Sequence, residues 1–221
     1  MLRRHPYLGD DQRQMVRRLV EGGERIVPVA AMPGAAKTTA LAAAREAWEA
    51  QGHPVIGVAT ARSASGELRD IGVPSRSIAA LIRSADERRL LGEEPLARGT
   101  VILMDEASTT STPDAAALAE LTLGCEGRLV AIGDPKQIGA VGPGGLFSHL
   151  THTIEPSLLT EIRRQRYEID RHIVELAHAG QGSDALDLLR AEGRVHVADT
   201  IEEARCAVVL DWHRAFAAGT R

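Results

Sequence analysis

Residues 25–39 read Arg25-Ile26-Val27-Pro28-Val29-Ala30-Ala31-Met32-Pro33-Gly34-Ala35-Ala36-Lys37-Thr38-Thr39, and two patterns meet inside them. The first, Arg25 to Ala31, is a nearly continuous apolar run of the length expected of a strand buried on both faces. The second begins at Thr38, where an alanine-rich stretch of good helix formers continues to Gln51. A short loop carrying Gly34 joins them, so the chain leaves a buried strand and enters a helix within a few residues. Outward from here the same alternation recurs. Further strands are predicted at Pro54 to Thr60, Thr100 to Glu106 and Arg128 to Asp134. Helices are predicted at Asp114 to Leu123, after Thr112-Pro113, and at Tyr167 to Ala179, where Ile169, Ile173 and Leu176 share a face. Strand and helix in alternation predict an α/β domain of three layers, αβα, with a mainly parallel sheet. The tail adds a helix from Ser183, a strand candidate at Arg194 to Ala198, and a last helix. The spacing Thr200-Ile201-Glu202-Glu203 is that of a capping box, and Ile201, Ala204, Val208 and Trp212 would form one face of this helix.

The loop between the first strand and its helix is close to a phosphate-binding loop of the Walker A type. In such a loop successive backbone N–H groups and a helix N-terminus surround phosphate oxygens. That assigns Pro33, Gly34, Ala35, Ala36, Lys37, Thr38 and Thr39 to nucleotide binding, with Lys37 reaching the β and γ oxygens and the Thr38 hydroxyl ligating Mg2+. The pattern calls for glycine at both ends, and this chain has Ala31 and Ala36 there. If position 36 requires a positive φ, alanine costs roughly 1–2 kcal/mol, and each 1.4 kcal/mol is about tenfold in affinity. The alternative is a plain strand-to-helix turn that carries a lysine.

Asp105 and Glu106 close the third predicted strand, at the edge where doubly wound sheets bind ligands. Asp105 is placed to hold Mg2+ through its water shell, and Glu106 to polarise the water that attacks a γ-phosphate. Read alone, the two acids could equally cap a strand or helix. The fourth strand ends in Gly133-Asp134-Pro135-Lys136-Gln137-Ile138, which puts the Gln137 amide within reach of the same γ-phosphate. Gly-Asp-Pro is also an ordinary turn, but a turn requires neither the glutamine nor this place in the strand order.

In this order the motifs resemble the first RecA-like, P-loop NTPase motor domain of superfamily 1 DNA helicases. The resemblance is closest to the helicase part of MobF-type conjugative relaxases and to the alpha subunit of exodeoxyribonuclease V. It runs over nearly all of residues 1–221. It implies one RecA-like ATP-binding domain, residues 1–221, with peripheral elements at 180–221 and the second motor domain absent. Leu8-Gly9-Asp10-Asp11-Gln12 is similar to the family's Q motif, which implies that Gln12 reads the adenine edge. Gly57 to Ala64 is similar to motif Ia, which implies that Thr60, Arg62 and Ser63 contact single-stranded DNA through phosphates. Leu158 to Gln165 is similar to motif IV, which implies that Arg164 stabilises charge in the transition state. With Lys37, Asp105, Glu106 and Gln137 it completes the expected catalytic set, served by ATP and Mg2+. Arg163, Arg164 and Arg166 could otherwise begin a solvated helix. The resemblance also implies a second RecA-like partner domain in cis or in trans, without which weak nucleotide binding and little unwinding are expected. Two other functions remain: a degenerate P-loop module that binds nucleotide or DNA without efficient hydrolysis, and a small-molecule P-loop kinase. The kinase leaves Gly133 to Ile138 and Leu158 to Gln165 unexplained.

Composition bounds these readings. A net charge of -4 withholds an overall basic field, so DNA would have to follow a local strip. Aromatic residues are 3% of the chain, which leaves few stacking platforms and predicts salt-sensitive phosphate contacts. Cys125 and Cys206 stand far apart, excluding a disulfide framework or four-cysteine zinc site and fitting a reducing cytoplasm. His149 and His152 lack a carboxylate partner, so the eight histidines give no metal signature. The start shows no secretory signal, and no apolar run approaches the ~18 residues of a membrane span.

Overall fold

A computed structural model describes residues 5–60, 64–137, 139–140, 142–165 and 167–219. The chain divides into two compact units, Met1–Arg166 and Tyr167–Arg221, so the second takes in more than the peripheral stretch expected from residue 180.

The first unit holds a six-stranded sheet. In chain order its strands are β1 (Ile26–Ala31), β2 (Val55–Ala59), β3 (Ser75–Ser77), β4 (Val101–Met104), β5 (Arg128–Gly133) and β6 (Ser157–Leu159). Across the sheet the order is β3-β2-β4-β5-β1-β6, and every pairing is parallel. The four predicted strands are present within a residue or two of the expected bounds. The two outer strands were not predicted: β3 and β6 are three residues each, too short and too polar in part to carry an apolar run.

Parallel strands need helical crossovers, and these supply the outer layers. Helices α1 (Asp10–Glu21), α2 (Lys37–Ala50) and α3 (Ala64–Asp70) belong to one face. Helices α4 (Ile78–Leu90), α5 (Thr112–Gly124) and α6 (Leu146–Thr153) belong to the other. The period-two alternation of the central strands assigns their side chains: Val101, Leu103, Val130 and Ile132 face Leu41, Ala44 and Trp48, while Ile102, Met104, Leu129 and Ala131 face Ile78, Leu81 and Leu118. Helix α5 starts where Thr112-Pro113 predicted, with the Ser111 hydroxyl accepting from the Asp114 N–H.

At the amino edge of this sheet the polar groups are tied down. Arg128 donates to the carbonyls of Leu19 and Gly22 at the end of α1, and Trp48 Nε1 donates to the Leu19 carbonyl at 3.3 Å. Arg18 pairs with Glu24 at 2.6 Å and holds the Glu24 carboxyl below its ordinary pKa. Burial lowers the pKa of the Arg128 guanidinium, opposed by the nearby Glu24 charge.

The second unit is helical: α7 (Glu168–His178), α8 (Gly182–Ala191) and α9 (Ile201–Ala217). Arg194 to Ala198, expected as a strand, is irregular; among the described residues no neighbouring strand satisfies its backbone groups. The capping box forms as predicted, with Glu203 N–H donating to the Thr200 hydroxyl and the Glu203 carboxylate accepting from the Thr200 N–H. The predicted face of α9 buries nothing: Ile201, Val208 and Trp212 are exposed. Among the described residues, no helix is long and apolar enough to cross a membrane.

Candidate nucleotide-binding site

At the carboxyl edge of the sheet the loop between β1 and α2 takes the backbone shape that its glycine and alanine dictate. Gly34 has φ +83°, and a Cβ built there would lie 2.6 Å from Gln165 Oε1, so only glycine fits without displacement. Ala36 also adopts the left-handed conformation, φ 50° and ψ 46°, immediately before α2 begins. Position 36 therefore does require the positive φ that penalises alanine. Lys37 and Thr38 form the first turn of α2, whose N–H groups have no acceptor further back in the helix. The Gly34 carbonyl is fixed from the far side by two backbone donors, Arg163 N–H at 2.9 Å and Arg164 N–H at 3.1 Å.

The carboxylates follow from β4. Asp105 is 1% exposed and accepts from Lys37 Nζ at 2.6 Å and from the Glu106 N–H at 2.9 Å. Glu106 has φ 52°, a strained conformation for a residue with a Cβ. The following 3-10 turn, Ala107–Thr109, holds that conformation, since both the N–H and the hydroxyl of Thr109 donate to the Glu106 carbonyl at 2.9 Å. Beyond β5, Asp134 accepts the Lys136 N–H on its side chain and the Gln137 N–H on its carbonyl, shaping the turn that presents Gln137.

These elements enclose one cleft of about 190 Å³. Its walls include Gly34, Lys37, Thr38, Glu106, Gln137 and Arg164. Asp105 joins them through its bond to Lys37. Six side chains spread over more than a hundred residues of sequence thus meet at one rim. The donor set suits a magnesium triphosphate: a cationic amine, an arginine and a helix N-terminus for the phosphates, and hard oxygens from Thr38 and Asp105 for the cation.

Comparison with known proteins agrees with this geometry. An AAA domain model matches residues 7–200. The chain belongs to this AAA domain family. The "Probable conjugal transfer protein TraA" of Sinorhizobium fredii (strain NBRC 101917 / NGR234) is 34% identical over 213 residues, 96% of this chain and 19% of that protein. The "Multifunctional conjugation protein TraI" of Escherichia coli (strain K12) is 29% identical over 175 residues, 76% of this chain and 10% of that protein. The chain thus spans under a fifth of the length of either relative. Among solved structures, the crystal structure of Pif1 helicase from Candida albicans superposes with a TM-score of 0.56 over 76% of this chain and 43% of that one, at 18% identity. The architecture of this AAA domain is a RecA-like α/β fold built on an all-parallel sheet, as the motif order implied.

Other expected residues of the AAA domain lie elsewhere. Thr60 is exposed at the end of β2, its hydroxyl 3.1 Å from that of Thr109; Arg62 and Ser63 lie outside the described residues. Gln12 is 1% exposed. Its Oε1 accepts from the Gly9 N–H at 3.1 Å and its Nε2 donates to the Ala36 carbonyl at 3.0 Å, so both ends of the amide expected at a base edge are engaged with backbone.

Two residues beside or within the site were assigned no role by the sequence. Asp11, beside Gln12, accepts from the N–H groups of Thr160 and Glu161 at 3.3 Å each, linking α1 to the segment that carries Arg164. Glu67 on α3 lines the cleft, its carboxylate 3.9 Å from Lys37 Nζ and 4.0 Å from Arg164. Neither contact follows from local spacing, because each joins segments far apart in the chain. Arg163 and Arg164 do not begin a helix; α7 starts at Glu168.

Proposed function

We propose that this chain is the ATP-binding motor domain of a DNA helicase, hydrolysing ATP with Mg2+ to drive translocation on single-stranded DNA when a second RecA-like domain is present. The observation that carries the reading is the meeting of Lys37, Glu106, Gln137 and Arg164 on one cleft, with Asp105 bonded to Lys37. A turn that merely happened to hold a lysine would not gather the other four.

Each side chain then has a task. Lys37 exchanges the Asp105 carboxylate for β and γ oxygens when triphosphate arrives, while the N–H groups of Gly34, Ala36, Lys37 and Thr38 take the remaining oxygens. Thr38 and Asp105 are the residues that would hold Mg2+, which when bound neutralises phosphate charge. Glu106 orients a water and accepts its proton as the water oxygen bonds to the γ-phosphorus and the bond to the bridging oxygen breaks. Arg164 stabilises the charge that develops, and Gln137 senses whether the γ-phosphate is present. Thr60, with Arg62 and Ser63, would contact the DNA backbone. Movement along DNA needs two domains that close on ATP and part after hydrolysis, so the second domain belongs to the same proposal, as does a cytoplasmic site of action. The relatives named for conjugation make conjugative DNA processing the first setting to test.

One observation favours a second reading, a module that binds nucleotide without efficient turnover: Ala36 sits in a conformation that penalises it. ATP hydrolysis by the chain, alone and with an added second motor domain, separates the two. A rate stimulated by single-stranded DNA and lost in Lys37→Ala and Glu106→Gln supports the motor. Magnesium-ATP binding with no turnover under either condition supports the module.

A further inference from the structure

We propose that Thr109 is a positioning residue that links a single-stranded DNA backbone held at Thr60 to Glu106, through a relay of hydroxyls that the DNA interrupts. The inference rests on the reading of Thr60 as a DNA contact and names how that contact reaches the nucleotide cleft.

The sheet sets the two ends of the relay side by side. Strands β2 and β4 pair with Val58 opposite Met104, and the Asp105 N–H extends the ladder to the Val58 carbonyl at 2.9 Å. Thr60 and the turn that follows Glu106 therefore leave the same edge as neighbours. The Thr60 and Thr109 hydroxyl oxygens lie 3.1 Å apart, and the Thr109 hydroxyl is 2.9 Å from the Glu106 carbonyl. A carbonyl can only accept, so the single proton of Thr109 goes to Glu106, and the bond between the threonines must be donated by Thr60. The direction is thus fixed as Thr60 to Thr109 to Glu106. Ser108 and Thr110, on either side of Thr109, bury hydroxyls with no hydrogen-bond partner, so of the three consecutive hydroxyls only that of Thr109 is bonded among the described residues.

Thr60 is exposed, and its one proton cannot serve both Thr109 and a phosphate. A charged phosphate oxygen accepts more strongly than a neutral hydroxyl. DNA at Thr60 therefore takes the proton, and Thr109 loses its donor. The bond from Thr109 to Glu106 then weakens, because hydrogen bonds in a chain polarise one another. Glu106 is the residue where that loss is felt, since its φ of 52° persists only while its surroundings enforce it. The coupling is reciprocal: whatever secures the relay weakens DNA at Thr60, and the reverse.

The test uses Thr109→Val, which keeps the branched shape and removes the hydroxyl, Thr109→Ser, which retains one, and Thr60→Val alone and combined with Thr109→Val. Binding of fluorescein-labelled oligo(dT) is read by anisotropy at fixed salt, and amide hydrogen exchange at residues 106–110 is followed with and without the oligonucleotide. Thr109→Val removes an acceptor that competes for the Thr60 proton, so oligo(dT) should bind about threefold more tightly, toward the low end for one hydrogen bond because the pair is exposed. Thr109→Ser should bind as the parent does. Thr60→Val should weaken binding about fivefold, and adding Thr109→Val to it should change affinity by less than about twofold. Exchange at 106–110 should quicken when oligo(dT) binds the parent. It should quicken without DNA in Thr60→Val, which opens the relay from its exposed end and decides the matter even if Thr109→Val does not fold. Unchanged or weaker binding in Thr109→Val would mean that Thr109 only shapes the turn, and would overturn the relay. So would tightening that persists in the Thr60→Val background, or exchange that stays the same or slows in the parent with DNA or in Thr60→Val without it. A parent that binds no oligo(dT) would sink the DNA reading and the relay with it, whereas a parent that binds while Thr109→Val changes nothing would sink the relay alone.

Discussion

At the amino edge of the sheet, Arg128 closes the end of α1 by donating to two carbonyls, Trp48 donates to one of them, and Arg18 holds Glu24. At the carboxyl edge the chain accepts the opposite terms. Two of the three non-glycine residues with positive φ among those described, Ala36 and Glu106, stand there. Nearby the buried hydroxyls of Ser108 and Thr110 have no hydrogen-bond partner. Lys37 meanwhile pairs with a buried aspartate on the cleft proposed for the phosphates. Strain and unmet polar groups persist only where the surrounding structure enforces them, and such places concentrate at ligand sites. One edge therefore secures the fold, and the other, on the function proposed, holds groups that a ligand would engage.

The largest expected effect comes from breaking the carboxyl edge at Lys37. Lys37→Ala removes the counter-ion of Asp105, which is 1% exposed, and should cost about 3 kcal/mol of stability together with magnesium-ATPγS binding. Adding Asp105→Asn should recover most of the stability and none of the affinity. Urea unfolding and calorimetry of the single and double variants read the two quantities separately. If the double variant stays as unstable as the single one, the Lys37–Asp105 pair is not the exchangeable contact that this comparison makes it.

Next in size is the amino edge. Arg128→Ala strands the Gly22 carbonyl, leaves the Leu19 carbonyl to Trp48 alone, and should lower stability by about 2 kcal/mol, with nucleotide affinity unchanged within twofold. A parallel fall in affinity would show that the edges are coupled and that the division of labour is mistaken.

The two edges also differ in how far the sequence discloses them. The four central strands are legible because each is an apolar run long enough to state its own burial, and the loop, Asp105-Glu106 and Gly133 to Gln137 lie at their ends, where chain order alone places them on one rim. β3 and β6 escape because an outer strand of three residues shows no periodicity and is defined by its neighbours, Gly57 to Ala59 and Val29 to Ala31. The Arg194 to Ala198 stretch misleads for a related reason: β-branched residues propose a strand, but a strand needs another strand. The amide of Gln12 illustrates the limit for function. Its place at the start of α1 is legible, but that its partner is the Ala36 carbonyl, 24 residues away, depends on how α1 and α2 pack.

Glu67 offers the smallest effect and the finest test of the comparison. Its carboxylate stands 3.9 Å from Lys37 and 4.0 Å from Arg164, in a cleft assigned to a triphosphate of the same sign. In the absence of nucleotide it shares those cations; in its presence it competes for them. Glu67→Gln keeps the shape and removes the competition, so magnesium-ATPγS should bind about threefold more tightly at low salt, in keeping with the modest worth of exposed ion pairs. The gain should shrink as salt shortens the screening length from about 10 Å at 0.1 M to about 3 Å at 1 M. Stability should stay within roughly 0.5 kcal/mol of the parent, the range for surface substitutions. Weaker binding in Glu67→Gln would reverse the assignment: the carboxylate would then be steering Lys37 and Arg164 into place, and the carboxyl edge would be as firmly set before ligand arrives as the amino edge is.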